Sequence, residues 1–199
     1  MLFDDAKIGT DIKKAASIIR NGGVVIYPTE TVYGIGASIF SENALKRVFT
    51  IKKRFSDKPV SIAVSSFSMM EELVFIKEQD RGFIKKFLPG PVTVLLKKKA
   101  TVPDILAAGG NLAGIRFPDH EITIKLIELA GIPITSTSAN LSGEASPNRV
   151  EDLKIEADYI LDGGECGGEP STVVDLVNRK VIRKGAKYEE VLAALKNSD

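Results

Sequence analysis

The chain has 199 residues, 44% of them apolar and 27% charged, with 17 Gly, 9 Pro and no Trp, a balance that excludes disorder, collagen and coiled coil and fits one ordinary globular domain over residues 1–199. A single cysteine, Cys166, excludes an intramolecular disulfide, and with no basic, apolar leader in Met1-Leu2-Phe3-Asp4-Asp5 and no long apolar run, the expected setting is a reducing cytoplasm without a membrane. The formal charge of +1 hides an asymmetry, because residues 46–99 carry 13 basic and 5 acidic side chains while residues 100–199 carry 10 and 16; the middle of the chain is a basic block that suits phosphate or RNA, the ordinary alternative being solvated helix faces.

Asp11 to Arg20 repeats apolar residues at Ile12, Ala15, Ala16 and Ile19 and stops at Asn21-Gly22-Gly23, which predicts a helix. Val24 to Tyr27 is a short β-branched run closed by Pro28, a buried strand that delivers Thr29 to Gly36 as a loop at its C-terminal end. Ser41 is an N-cap for a second helix through Leu45, Val48 and Ile51. Further strands are expected at Val60–Val64, Val92–Leu96, Leu112–Arg116, Ile132–Ser136, Tyr159–Leu161, Thr172–Leu176 and Val181–Arg183. Helical patterns fall at Met69–Ile76, Arg81–Leu88, Ile122–Ala130, Arg149–Leu153 and Tyr188–Leu195. This alternation is that of an α/β protein with a twisted, mixed parallel and antiparallel sheet and helices packed on it. The link Val177-Asn178-Arg179-Lys180 is too short for a crossover helix, so the last two strands must be antiparallel.

One histidine, His120, and one cysteine leave no zinc ligand set. His120 follows Pro118-Asp119 at a helix start, where a first-turn role accounts for it better than a Ser-His-Asp triad, and Cys166 sits in a glycine-rich turn without an adjacent base. Gly34-Ile35-Gly36 begins like a dinucleotide fingerprint but lacks the third glycine. What remains is a set of hydroxyl- and cation-rich loops after predicted strands, where open α/β sheets place ligands. They are Thr29 to Gly36, Lys52-Lys53-Arg54 with Lys58-Pro59, and Thr135 to Gly143. Lys52 and Arg54 could grip neighbouring phosphate oxygens once the helix has ended, and Ser138 and Asn140, alternating in an extended segment, would point the same way.

Those loops, with Leu88-Pro89-Gly90-Pro91-Val92-Thr93 and Arg116-Phe117-Pro118-Asp119-His120 between them and Ser171 to Asp175 and Val181 to Gly185 closing them, resemble the YrdC family of threonylcarbamoyl-AMP synthases from residue 10 to residue 186. The resemblance implies the stand-alone form of that family. The resemblance implies a YrdC-like fold and a reaction in which L-threonine, bicarbonate and ATP give threonylcarbamoyl-AMP and pyrophosphate for a transfer RNA modification. It implies that Lys52, Arg54, Ser138 and Asn140 do the catalytic work on the nucleotide phosphates, that Lys58, Ser146 and Arg183 add nucleotide contacts, and that Thr31, Arg116, Ser136 and Ser171 surround the amino acid. ATP is then a substrate that carries its own Mg²⁺, and transfer RNA or double-stranded RNA at the 46–99 block and a downstream threonylcarbamoyl transferase machinery are the implied macromolecular partners. The residue types suit the chemistry, since a carbamate attacking the α-phosphorus brings two anions together and needs cations and oriented donors rather than a protein nucleophile.

Many members carry histidine near the threonine pocket where Ala63 stands, proline where Phe55 stands, and Asn and Thr in place of Lys58 and Asn148. Intact Ser138 and Asn140 argue for the synthase branch over the diverged YciO branch. Two other readings stay open: a non-catalytic RNA-binding module, and a carbamoyl or adenylate transferase with a different substrate on the same scaffold.

Overall fold

The computed structural model describes residues 7–53 and 58–196. Helix α1 (Ile12–Arg20) begins where the Asp11 carboxylate accepts the Lys14 amide, and α2 (Glu42–Ile51) begins where Ser41 accepts the Ala44 amide. The remaining helices are α3 (Phe67–Leu73), α4 (Glu78–Phe87), α5 (Glu121–Ala130) and α6 (Tyr188–Lys196). The strands are β1 (Ile8–Gly9), β2 (Val24–Tyr27), β3 (Gly34–Ala37), β4 (Ser61–Ala63), β5 (Val92–Lys97), β6 (Leu112–Arg116), β7 (Ile134–Ser138), β8 (Tyr159–Leu161), β9 (Thr172–Asp175) and β10 (Lys180–Arg183). They form one mixed sheet in the order β1-β8-β2-β3-β7-β4-β6-β5-β9-β10. The short link before Val181 does make β9 and β10 antiparallel.

Three local expectations change. The Arg149–Leu153 pattern forms only a 3₁₀ turn at Val150–Asp152. The strand expected at Ile132–Ser136 runs two residues later, so Thr135 to Ser138 belong to the sheet rather than to a loop. Gly34 to Ala37 is a strand, paired antiparallel with β2. Its glycines have a packing reason, because a Cβ at Gly36 would lie 3.0 Å from two ring carbons of Tyr27. The Gly-x-Gly pattern makes room for that ring.

Strand β2 is buried on both faces, which is why its sequence is a continuous apolar run. Val25 and Tyr27 pack with α1 and α5, while Val24 and Ile26 pack with Ala44 and Val48 of α2. The other half of the sheet is covered on one face by α3, α4 and α6, through Met70, Phe83, Phe87 and Val191 against Ile62, Val94, Ile115 and Val174. Strand β7 joins the halves, pairing its first residues with β4 and its last with β3. Among the described residues no helix is long and apolar enough to cross a membrane.

Candidate active site

The face of β4, β6, β5 and β9 that the helices leave uncovered lines a cavity of about 550 Å³. Strand alternation sorts the residues: Ile62, Val94, Leu96, Ile115 and Val174 enter the core, while Ser61, Thr93, Leu95, Gly114, Arg116 and Val173 form the cavity floor. Gly114 is needed there, since a Cβ would come within 2.7 Å of the Ser61 hydroxyl. The glycine of Leu88-Pro89-Gly90 shapes the entry to β5, its amide bonding Phe117 O at 2.8 Å, and so sets where Thr93 emerges.

The turn between β2 and β3 forms one wall. Thr29 Oγ1 accepts the amides of Thr31 and Val32 at 3.1 and 3.2 Å and donates to Val32 O at 2.7 Å, a closed local turn that aims Thr31 at the cavity. Behind it Arg116, 4% exposed, donates through Nη2 to Glu30 Oε1 at 2.8 Å and to Thr31 Oγ1 at 3.4 Å. Glu30 Oε2 and Arg116 Nε are buried with no hydrogen-bond partner among the described residues. The glycine loop seals this wall, with the Gly168 amide on Thr31 O at 2.6 Å and Gly167 so close to Glu30 O that no side chain would fit.

The opposite wall is built on Ser171. Its hydroxyl lies 2.9 Å from Thr93 Oγ1 and accepts from Arg183 Nη2 at 3.0 Å, and Arg183 also bonds Ser171 O. The residue expected at the nucleotide and the one expected at the amino acid are therefore in direct contact. Ser136, Ser138 and Ser146 complete the polar rim.

Thr31, Arg116, Ser136, Ser138, Ser146, Ser171 and Arg183 are thus brought together. Asn140 stands one step behind, its Oδ1 accepting from Ser138 Oγ at 2.5 Å and its Nδ2 donating to Glu144 O at 2.6 Å. Lys52 meets the same loop, as the helix end at Ile51 allows, but it is 1% exposed and does not line the cavity. Its ammonium donates to Ser138 O, to Asn140 O at 2.8 Å and to Asn140 Oδ1 at 3.1 Å. The open, cleft-facing lysine expected from the sequence is in this structure a buried one. Lys58 is exposed and off the wall, although its neighbour Pro59 is on it; Arg54 and Phe55 lie outside the described residues. Ala63, paired in the sheet with Arg116, is fully buried in the apolar cluster with Tyr27, Leu126 and Ile134 and is not among the residues that line the cavity. Asn148 binds the glycine loop, its carbonyl accepting the Cys166 amide at 2.8 Å.

Glu30 and Thr93 were not singled out from the sequence. Thr93 leaves a signal, as the one hydroxyl in the apolar run Val92 to Leu96; Glu30 between two threonines leaves a weaker one.

His120 begins α5 without capping it; its Nδ1 lies 3.3 Å from Thr123 Oγ1, and burial pushes its imidazole down, toward the neutral form. Burial likewise pushes the Cys166 thiol up. Burial raises the Tyr27 phenol to about 12, and its hydroxyl donates to Thr135 O at 3.0 Å. Within the basic block four side chains are paired locally: Arg47 binds Asp158 through two bonds, Arg81 binds Glu71 and Glu78, Lys46 binds Glu42 and Lys98 binds Asp104. Among the described residues no cluster of three or more His, Cys, Asp or Glu is placed to hold a metal ion.

A family model for Sua5, YciO and YrdC, described as Telomere recombination, matches residues 17–185. A threonylcarbamoyl-AMP synthase of Pyrococcus abyssi is 44% identical over 171 residues, covering 83% of this chain and 50% of that protein. A putative threonylcarbamoyl-AMP synthase of Methanocaldococcus jannaschii is 41% identical over 169 residues, covering 82% and 79%. The crystal structure of P. abyssi Sua5 complexed with L-threonine superposes with a TM-score of 0.84 at 42% identity, covering 91% of this chain and 57% of that one. The chain thus spans about half the length of the P. abyssi relative.

Proposed function

The chain belongs to the Sua5, YciO and YrdC family, and from that premise we propose that it makes threonylcarbamoyl-AMP from L-threonine, bicarbonate and ATP. The observation that carries this reading is the meeting of Thr31, Arg116, Ser136, Ser138, Ser146, Ser171 and Arg183 on one cavity, whose volume of about 550 Å³ suits a small-molecule site. In this reading the threonine carboxylate pairs with Arg116, whose planar fork suits a carboxylate. The hydroxyls of Thr31, Ser136 and Ser171 surround the rest of the amino acid. Its amine, having lost a proton, takes up the bicarbonate carbon as a carbamate with loss of water.

A carbamate oxygen then attacks the α-phosphorus, the new P–O bond forms as the bond to pyrophosphate breaks, and the two leaving phosphates carry away the electron pair. Ser138, Asn140, Ser146, Arg183, Arg54 and Lys58 serve the phosphates, with Lys52 supplying positive charge from beneath the Ser138–Asn140 loop. Ser138, Asn140 and Arg183 are already held by hydrogen bonds, so they stabilise developing charge on the phosphoryl oxygens with little reorganisation. Mg²⁺ enters with ATP, held by phosphates and water. The reaction is a nucleotidyl transfer on one domain, in the cytoplasm, and its product supplies a transferase that modifies transfer RNA.

The RNA-binding alternative gives no reason for Thr31, Ser136, Ser138 and Ser171 to line one cavity. Incubating the chain with ATP, Mg²⁺, bicarbonate and threonine, serine or valine, and detecting the acyl adenylates by mass spectrometry, tests the proposal. Threonylcarbamoyl-AMP with equimolar pyrophosphate is expected; no adenylate, or valine turned over as well as threonine, refutes it.

A further inference from the structure

We infer that Lys52 is a positioning residue: it holds the Ser138–Ser142 loop in shape from beneath and does not itself ligate a phosphate. The inference rests on the reading of the cavity as a nucleotide site, but its argument is the donor count of one buried group. A lysine ammonium has three N–H donors and no acceptor. Here three acceptors converge on it, the carbonyls of Ser138 and Asn140 and the Asn140 side-chain oxygen. The main chain of the same residue returns the grip, since Lys52 O accepts the Ser142 amide at 3.0 Å. Both ends of Lys52 are therefore bonded to one five-residue segment, and at 1% exposure the side chain has little surface to offer a ligand.

The consequence for the site runs through Asn140. Lys52 and the Ser138 hydroxyl share Asn140 Oδ1 as acceptor, at 3.1 and 2.5 Å, so the ammonium sets the rotamer of Asn140, and Asn140 in turn sets the direction of the Ser138 hydroxyl on the cavity rim. Transferring the ammonium to a phosphate would strip two backbone carbonyls and an amide oxygen of a charged donor in a buried place, a cost that a phosphate at the rim would have to exceed. A charge beneath the loop acts on an anion above it without moving.

Amide hydrogen exchange on the full chain without nucleotide is the first test. Lys52→Met keeps most of the stem and removes the charge; exchange at Ser142 should accelerate about tenfold or more, with Ile134 and Thr135 at the start of β7 unchanged, and an unaltered Ser142 rate overturns the inference. The second test is a double-mutant cycle in kcat/KM for ATP, which a purely structural role would not move in this pattern. If Lys52 acts through Asn140, Lys52→Met combined with Asn140→Ala should lose no more than about twofold beyond the worse single variant, whereas the product of the two separate losses would mark Lys52 as an independent phosphate ligand. The third needs no variant: in the wild-type chain the hydrogen-bond coupling of Lys52 Nζ to the carbonyl carbons of Ser138 and Asn140 should survive saturation with ATP, and its loss on ATP binding overturns the inference. A chain that neither binds nor uses ATP refutes the proposed function, and the exchange result then decides the position of Lys52 independently.

Discussion

Glu30→Gln separates the two things Arg116 is asked to do. The pair is close, 2.8 Å, and its side chains are 5% and 16% exposed. At that distance the gross attraction is about 6 kcal/mol for an effective dielectric of ~20, most of it offset by taking both charges out of water. Deleting one partner of such a pair typically costs about 3–5 kcal/mol, because the other charge is left buried and alone. Glutamine keeps an oxygen where Nη2 donates, so a loss of about 2–3 kcal/mol in urea unfolding is expected for the unliganded chain. An amino-acid carboxylate arriving at Arg116 replaces the missing negative charge. L-threonine should therefore stabilise the variant at least as much as the wild type, by about 2.7 kcal/mol at a hundred times its Kd. Two results would refute the reasoning: a loss below about 0.5 kcal/mol, which would make the pair energetically idle, or a variant that threonine no longer stabilises although it stabilises the wild type.

Asp158 receives both Arg47 nitrogens and the Val24 amide, and the Arg47 hydrogen bonds hold its carboxyl below the usual carboxylate range. Its contribution is present above the unfolded-state value of about 3.9 and is lost as pH falls through the lower folded value, so Asp158→Asn should lower stability at neutral pH and flatten the acid limb of an unfolding profile. Gly36→Ala places a methyl 3.0 Å from the Tyr27 ring and 3.2 Å from Ile134 Cδ1; calorimetry should show a loss of about 1–3 kcal/mol from overpacking. Cys166, 8% exposed and with its thiol pushed up by burial, should react with a thiol reagent far more slowly at pH 8 in the native chain than in urea. Ala63→His, which would tighten threonine binding if Ala63 lined the pocket, should instead destabilise the fold by forcing an imidazole into the cluster of Tyr27, Leu126 and Ile134.

Much of the architecture was legible because its signals are local. Asp11 and Ser41 cap their helices within three residues, Gly131 ends α5 in the left-handed conformation, and the four-residue link before Val181 leaves no room for a crossover. The ordered run of loop motifs was equally legible, and most of the residues those motifs single out line one cavity. Strand β3 was hidden, since Gly34 and Gly36 carry no β-forming side chain and their place in the sheet follows from a ring on β2. The shift of β7 was hidden for a related reason: Thr137 and Ser138 look like loop residues until Ile35 and Gly34 are found opposite them.

The location of the site belongs to the tertiary structure. Sequence reasoning placed ligands in loops at strand ends, yet the cavity lies across the uncovered face of β4, β6, β5 and β9. Alternation along Val92 to Lys97 or Leu112 to Arg116 divides each strand into two faces, but it does not say which of them the helices will take. That choice is made when α3, α4 and α6 together cover the apolar side and leave Thr93, Gly114 and Arg116 to the cavity. The same holds for Lys52: its charge and spacing are plain in the sequence, but whether an ammonium meets a ligand or the carbonyls of its own chain depends on where a loop 86 residues away comes to rest.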